Sequence, residues 1–249
     1  MTRILLLGGT TEATRLAHHL ANTDYDVLFS YAGRTANPVA QPLPTRVGGF
    51  GGVDGLSDFL RTENITHVID ATHPFAAQMS TNAVSACATT QVNLAGFERA
   101  PWQAGAGDNW QSVADIQAAC DALPSDPTQV FLAIGKQHID VFATRPEHRY
   151  LLRLVDKPTH PLPMLNAHAV IARGPFDLAG DLTLLKDHDI KIIISKNAGG
   201  IGAQAKLEAA RTLGLKVIMI DRPFIPARQV FSNVDDVMTW LDHSANRGV

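Results

Sequence analysis

The stretch Ile4-Leu-Leu-Leu-Gly-Gly-Thr-Thr-Glu-Ala13 decides how the rest of the chain is read. Four apolar residues in a row predict a strand buried on both faces, because a strand with one wet face would alternate. Two glycines then allow a tight turn, and Leu16, Ala17 and Leu20 beyond it fall on one face of a helix. A strand that runs through glycines into a helix N-terminus presents free amide groups and the positive end of the helix dipole to an anion. Gly8 and Gly9 would let the backbone approach a pyrophosphate, Thr10 or Thr11 would cap the helix and offer a hydroxyl, and Glu12 opens its first turn. The spacing departs from G-x-G-x-x-G, so the turn alone does not separate a dinucleotide site from a plain strand-to-helix connection.

Outward from this segment the same unit recurs. Leu-rich or β-branched runs occupy 4–7, 26–30, 67–70, 91–96, 129–134, 150–154, 191–195 and 216–220. Amphipathic stretches at 12–22, 53–62, 76–89, 112–123, 177–188, 203–213 and 234–243 predict helices between and after them. That alternation predicts an α/β protein with parallel sheets wound by crossover helices. Gly96, Pro101, Gly105 and Gly107 crowd one segment and mark a seam, which divides the chain into domains 1–98 and 99–249. A second punctuated segment, 157–163, holds three prolines and a histidine and predicts a surface loop.

Composition narrows the function. The 249 residues are 45% apolar and 18% charged with a formal net charge of −3, which gives no polyelectrolyte surface for nucleic acid or anionic lipid. An anionic ligand must therefore meet local basic groups. Cys87 and Cys120 stand apart in helical stretches and predict buried apolar residues rather than a disulfide or zinc framework. No cleavable leader and no uninterrupted apolar span of about 20 residues is visible, so the expectation is a cytoplasmic protein.

The second strand addresses the cofactor. A fold that selects NAD usually ends this strand with a carboxylate for the ribose hydroxyls. Here it ends in Ser30, followed by Gly33 and Arg34, a set that suits the 2′-phosphate of NADPH. The glycine-rich stretch 46–53 offers Gly49, Phe50 and Gly51 to a nucleotide as backbone amides and one aromatic face. The strand 67–70 delivers Thr72 and His73 to its carboxyl end, where ligands bind in open α/β sheets. Pro74 then opens a helix, and no metal-binding spacing accompanies His73.

The run Asp70-Ala-Thr-His-Pro-Phe-Ala76, together with Gly8 to Ala13, resembles the precorrin-6A reductase family. Gly48 to Gly52, Gly135-Lys136, Arg173-Gly-Pro-Phe176, Ser195 to Gly200 and Arg222-Pro223 are similar to it as well. Ala198 stands where a serine or threonine is expected, so no hydroxyl contact is carried over there. The resemblance implies two Rossmann-like parallel-sheet domains with an interdomain cleft, the first binding NADPH and the second the substrate. The implied reaction reduces the precorrin-6A macrocycle to precorrin-6B in cobalamin biosynthesis, by hydride transfer from NADPH plus protonation. Arg153, Arg173, Lys136, Lys196 and Arg222 follow or end predicted strands, and with Asn197, Gly199 and Gly200 they are the candidates to hold the carboxylate arms of this tetrapyrrole. Lys136 or Lys196 would anchor those arms near the nicotinamide, and His73 or a water would supply the proton.

Two rival readings stand beside this one. A generic NADPH-dependent small-molecule reductase would normally carry Tyr-x-x-x-Lys, and none of Tyr25, Tyr31 and Tyr150 has a lysine four residues on. An NADPH-sensing regulator would keep the first half but has no need of the basic strand ends. The residues do not separate a metal-free from a cobalt-loaded macrocycle, and they show no nucleic-acid, membrane or obligate protein partner.

Overall fold

β1 (Arg3–Leu7) sits at the middle of a sheet, and its four apolar residues divide between the two faces of that sheet. Ile4 and Leu6 enter one core with Leu16, Leu20 and Phe29, while Leu5 and Leu7 enter the other with Leu56, Leu60 and Ala83. This is why the strand shows no alternation in sequence: both faces are covered by helices. The computed structural model describes residues 2–33, 38–158 and 160–245. The chain forms two units, Met1–Ala100 with Phe224–Val249, and Pro101–Pro223.

In the first unit β1 is followed by α1 (Thr11–Leu20), β2 (Asp26–Tyr31), β3 (Thr45–Val47), α2 (Gly52–Thr62), β4 (His67–Asp70), α3 (Ala77–Thr90) and β5 (Asn93–Phe97). The second unit contains β6 (Asn109–Val113), α4 (Ile116–Asp121), β7 (Gln129–Ala133), a 3-10 helix (Ile139–Thr144), β8 (Arg149–Leu154), β9 (Ala167–Ile171), α5 (Leu178–Asp187), β10 (Ile192–Lys196), α6 (Ala205–Leu213) and β11 (Lys216–Ile220). β12 (Gln229–Phe231) and α7 (Val234–Ala245) then belong to the first unit.

Each unit is an all-parallel, six-stranded sheet. The orders are β12-β5-β4-β1-β2-β3 and β6-β11-β10-β7-β8-β9. In the first, β1 to β3 run outward to one edge and β4, β5 and β12 restart on the other side of β1; in the second, β7 to β9 and then β10 and β11 do the same, with β6 at the edge beside β11, the doubly wound Rossmann arrangement. The α/β reading with two parallel sheets matches this architecture.

Three sequence expectations differ from the structure. Residues 224–249, assigned to the second domain, lie in the first unit: β12 pairs with β5 in the register Gln229↔Ala95, and Val237 and Leu241 of α7 are buried in the core that holds Ile4. The helix expected over 112–123 is instead strand β6 and the short α4, because Asp115 caps α4 by accepting from the Ala118 amide at 2.8 Å and Asn109–Val113 pair with β11. The strands β3, β6, β9 and β12 were not anticipated, and all of them are sheet edges. Among the described residues no helix is long and apolar enough to cross a membrane.

Candidate functional site

Both sheets have a switch point at which the winding reverses, between β1 and β4 in the first unit and between β7 and β10 in the second. Open α/β sheets take ligands at the carboxyl ends of those strands. The sequence candidates fall at these ends, but the structure gives them unequal work.

At the end of β1, Thr10 caps α1: its hydroxyl oxygen accepts from the Ala13 amide at 3.1 Å and its proton goes to the Ala71 carbonyl at 2.8 Å. Thr10 thus ties the β1 turn to the end of β4 and has no proton left for a phosphate. Thr11, the first residue of α1, is exposed and retains its hydroxyl. Gly8 is required by packing, since a Cβ there would lie 2.0 Å from Cζ of Phe29. Gly9 has φ +120° and nothing within 4 Å of where its Cβ would stand, so this is the open point of the turn. The Glu12 carboxylate accepts from Nη1 of Arg99 at 2.6 Å, which offsets a negative charge in the turn where an anion would sit.

The ends of β2 and β3 are joined by Arg46. The register places Leu7 beside Ser30 and Ser30 beside Arg46. The buried Ser30 hydroxyl accepts from Nη1 of Arg46 at 2.8 Å, and the guanidinium also donates to the carbonyls of Gly48 at 2.9 Å and Gly49 at 3.2 Å. Its central carbon lies 4.0 Å from the Phe50 ring centroid and 5.2 Å from that of Phe59. Burial lowers the pKa of this guanidinium from its ordinary value. Phe50, expected to present a face to a nucleotide, is therefore covered by Arg46 on that side and edged by Phe59, while Gly51 has φ +83° as the residue that caps α2. Gly33 has φ +76° and is exposed; Arg34 lies outside the described residues. Arg46 was not among the sequence candidates, although it opens the quoted glycine stretch.

At the end of β4 the Asp70 carboxylate, 1% exposed, accepts from the Thr72 amide at 3.2 Å and hydroxyl at 2.7 Å. Thr72 is thus held by its own strand rather than left for a ligand. Arg228 lies 3.2 Å from the other Asp70 oxygen and also pairs with Glu98. Nothing local in the sequence pointed to Arg228, because its partners are far away along the chain. His73 accepts from the Phe75 amide at Nδ1, 3.2 Å, so its loop is braced by its own ring.

In the second unit, Asn197 at the end of β10 grips Trp102 in both directions: Oδ1 accepts from its amide at 2.8 Å and Nδ2 donates to its carbonyl at 3.1 Å. The Trp102 indole donates to the Gly200 carbonyl at 2.9 Å, and Arg222 donates to the carbonyls of Asn197 at 3.1 Å and Ala198 at 3.2 Å. Gly199 and Gly200, with φ +71° and +77°, make the turn this strapping requires. Arg153 is bound to Asp181 with side chains 9% and 3% exposed, and its guanidinium lies 3.7 Å from the Phe176 ring centroid. Its charge serves the interior of the unit and does not reach solvent as a substrate contact would. Lys136 and Arg173 are exposed. Ser195 pairs in register with Ala133, so Lys196 and the turn that bears Lys136 leave neighbouring strands at the second switch point. Among the described residues no group of three or more His, Cys, Asp or Glu side chains is placed to hold a metal ion.

Comparison with known proteins agrees with this architecture. The family model described as precorrin-6x reductase CbiJ/CobK matches residues 3–242. A protein of Rhodobacter capsulatus named precorrin-6A reductase is 62% identical over 251 residues, covering 100% of both chains. One of the same name from a Sinorhizobium species is 47% identical and covers 97% of this chain and 93% of its own. A Priestia megaterium protein named cobalt-precorrin-6A reductase is 30% identical and covers 96% and 97%. A solved structure described as CobK precorrin-6A reductase superposes with a TM-score of 0.94 at 62% identity, covering 98% of this chain and 97% of that one. With a family model spanning almost the whole chain and full-length relatives well above 30% identity, the protein belongs to the precorrin-6x reductase family, CbiJ/CobK.

Proposed function

We propose that this protein is an oxidoreductase that reduces the metal-free macrocycle precorrin-6A, with NADPH as the hydride source. The observation that carries the reading is the 62% identity, end to end, with a protein named precorrin-6A reductase. The preference for a metal-free substrate is supported by rank: relatives named precorrin-6A reductase are 39% to 62% identical, and those named for the cobalt form 25% to 30%.

The residues at the first switch point fit a dinucleotide. Gly9 leaves open space over the turn, the first amides of α1 face it, Thr11 keeps a hydroxyl there, and Arg99 offsets Glu12. A bound nicotinamide supplies hydride. This chain then has to place an electrophilic carbon and deliver a proton. Lys136 and Lys196 supply positive charge at the second switch point for the carboxylate arms of a tetrapyrrole. His73, at the carboxyl end of β4, is a candidate contact for a polar atom of the cofactor or substrate. With Nδ1 of His73 engaged by the Phe75 amide, a water is the better acid.

Anaerobic mixing of the purified protein with NADPH and precorrin-6A, followed at the near-ultraviolet band of the reduced cofactor, tests this reading. Oxidation that depends on precorrin-6A, with little from NADH or the cobalt-loaded macrocycle, is the expected result. NADPH binding without oxidation by either macrocycle would replace the reductase with an NADPH sensor.

A further inference from the structure

The geometry points to Arg46 as the residue that recognises the 2′-phosphate of the adenosine half of the cofactor, and so sets the choice of NADPH over NADH. This rests on the nicotinamide-dinucleotide reading above and deepens it.

Arg46 differs from the other internal arginines of its unit. Arg3 pairs with Asp26 at 3.1 Å and Glu63 at 2.9 Å, Arg99 pairs with Glu12 at 2.6 Å, and Arg228 pairs with Asp70 at 3.2 Å and with Glu98. Arg46 has no carboxylate within ion-pair distance among the described residues. Its fixed partners are all neutral: a serine hydroxyl, two glycine carbonyls and two aromatic rings. Those contacts immobilise the guanidinium without cancelling its charge. A partly buried cation that lacks a counter-ion is costly unless an anion arrives.

The uncommitted donors have the right chemistry. Nη1 serves Ser30 and Gly48, and Nη2 gives one hydrogen to Gly49, which leaves the Nε hydrogen and the second Nη2 hydrogen. Two hydrogens in a fixed plane suit two oxygens of a phosphate monoester. The guanidinium carbon already lies 4.0 Å from the Phe50 ring centroid and the group is held by three hydrogen bonds, so little side-chain freedom remains to be lost on binding.

The location fits as well. Leu7, Ser30 and Arg46 form one row across β1, β2 and β3, so Arg46 lies two inter-strand steps, about 10 Å, from the strand end that leads into Gly8 and Gly9. An adenosine whose 5′ side sits at the β1 turn would direct its ribose along this row. The carboxylate that would favour an unphosphorylated ribose is absent from the end of β2, where Ser30 instead supports Arg46.

The test is binding rather than turnover. Calorimetry on the full chain would compare NADPH with NADH, and adenosine 2′,5′-bisphosphate with 5′-AMP, for the wild-type protein, Arg46→Gln and Arg46→Lys. The expected result is an affinity loss of about 10- to 100-fold for the two 2′-phosphorylated ligands in Arg46→Gln, with NADH and 5′-AMP changed by less than about 3-fold, and partial recovery in Arg46→Lys. Equal losses for phosphorylated and unphosphorylated ligands would make Arg46 a brace of the glycine loop and overturn the inference. Undiminished NADPH preference in both variants would also overturn it, and would move the phosphate to another cation. Wild-type protein that binds neither dinucleotide would overturn the nicotinamide reading and this inference together. If Arg46→Gln fails the far-ultraviolet circular dichroism check for folding, Arg46→Lys carries the same comparison, and unchanged discrimination in it together with unchanged NADPH affinity counts against the inference.

Discussion

The guanidinium of Arg228 stands 3.2 Å from the carboxylate of Asp70, with side chains 7% and 1% exposed. Asp70 ends β4 and holds Thr72, and Arg228 enters β12 on the segment that completes the first sheet. One buried ion pair therefore joins the start of the Thr72-His73 loop to the last part of the chain. A Cβ on Gly96 would lie 2.9 Å from Nε of Arg228, so β5 has a glycine where this arginine crosses it.

Removing Arg228 takes the cation from the buried carboxylate of Asp70 and one partner from Glu98. Arg228→Leu is expected to lower unfolding free energy by about 3–5 kcal/mol in urea titrations. Adding Asp70→Asn should restore part of that loss. A double variant no more stable than Arg228→Leu would show that the two charges are not coupled.

Gly8 should be intolerant of any side chain, and for steric rather than ligand reasons. Gly8→Ala places its methyl group 2.0 Å from the Phe29 ring and is expected to cost about 1–3 kcal/mol by thermal unfolding. Shortening Phe29 to leucine in the Gly8→Ala background should recover part of the cost. No recovery would place the strain in the backbone turn.

Acid should loosen α7 from the first sheet. Buried His67 accepts from Nδ2 of Asn93 at Nε2, 3.1 Å, and shares hydrogen bonds with Ser244 at 2.8 Å and Thr66 at 2.9 Å. Burial lowers its pKa from the ordinary 6.5, so the unfolded chain takes up the proton first. Its contribution to stability is present above about pH 6.5 and is lost as pH falls below that value. Melting temperature should decline between about pH 7 and pH 5, and His67→Gln should shrink the decline. His148, fully buried in the second unit and shifted in the same direction by burial, leaves a residual slope. An identical slope in His67→Gln would assign the whole effect elsewhere.

Neither cysteine should react in the folded protein. Burial, with the nearby Asp70 carboxylate adding to it, pushes the Cys87 thiol up to about 12, and burial raises Cys120 despite its contact with Thr144. Mass spectrometry after iodoacetamide at pH 8 should find no label until denaturant is added. Rapid native labelling of Cys87 would contradict its place in the core against α3's neighbours.

Asn197→Asp should free Trp102. The carboxylate can still accept from the Trp102 amide but cannot donate to its carbonyl, now served by Nδ2 at 3.1 Å. A loss of about 1–3 kcal/mol and a changed tryptophan fluorescence spectrum are expected. An unaltered spectrum would mean that the Gly200 carbonyl and Lys206 hold the indole without Asn197.

The positions of the candidate site were legible in sequence, but the tasks of its residues were less so. An apolar run followed by Gly8-Gly9 and a helix shows where β1 ends, and Asp70 to Ala76 shows the same for β4. Which hydroxyl is committed depends on a partner elsewhere: Thr10 is engaged by Ala71, leaving Thr11. Arg153 read as a strand-end cation until Asp181 and Phe176 closed around it. Arg46 is not marked by its local sequence, because its significance lies in Ser30 on one side and, among the described residues, in the lack of a carboxylate on the other.

For the fold, the sequence by itself determined the interior strands β1, β2, β4, β5, β7, β8, β10 and β11, because a strand covered on both faces must be an apolar run whatever its neighbours are. It also determined the amphipathic helices between them, apart from the misread stretch at α4. Only the tertiary structure decided the edges. β3 and β12 are three residues long, and β6 and β9 are mostly exposed or half-buried, so none has a run long or apolar enough to stand out. They are strands because a neighbour with unpaired backbone groups accepts them. That long-range pairing, which aligns Gln229 with Ala95, also determines that the last part of the chain completes the first sheet.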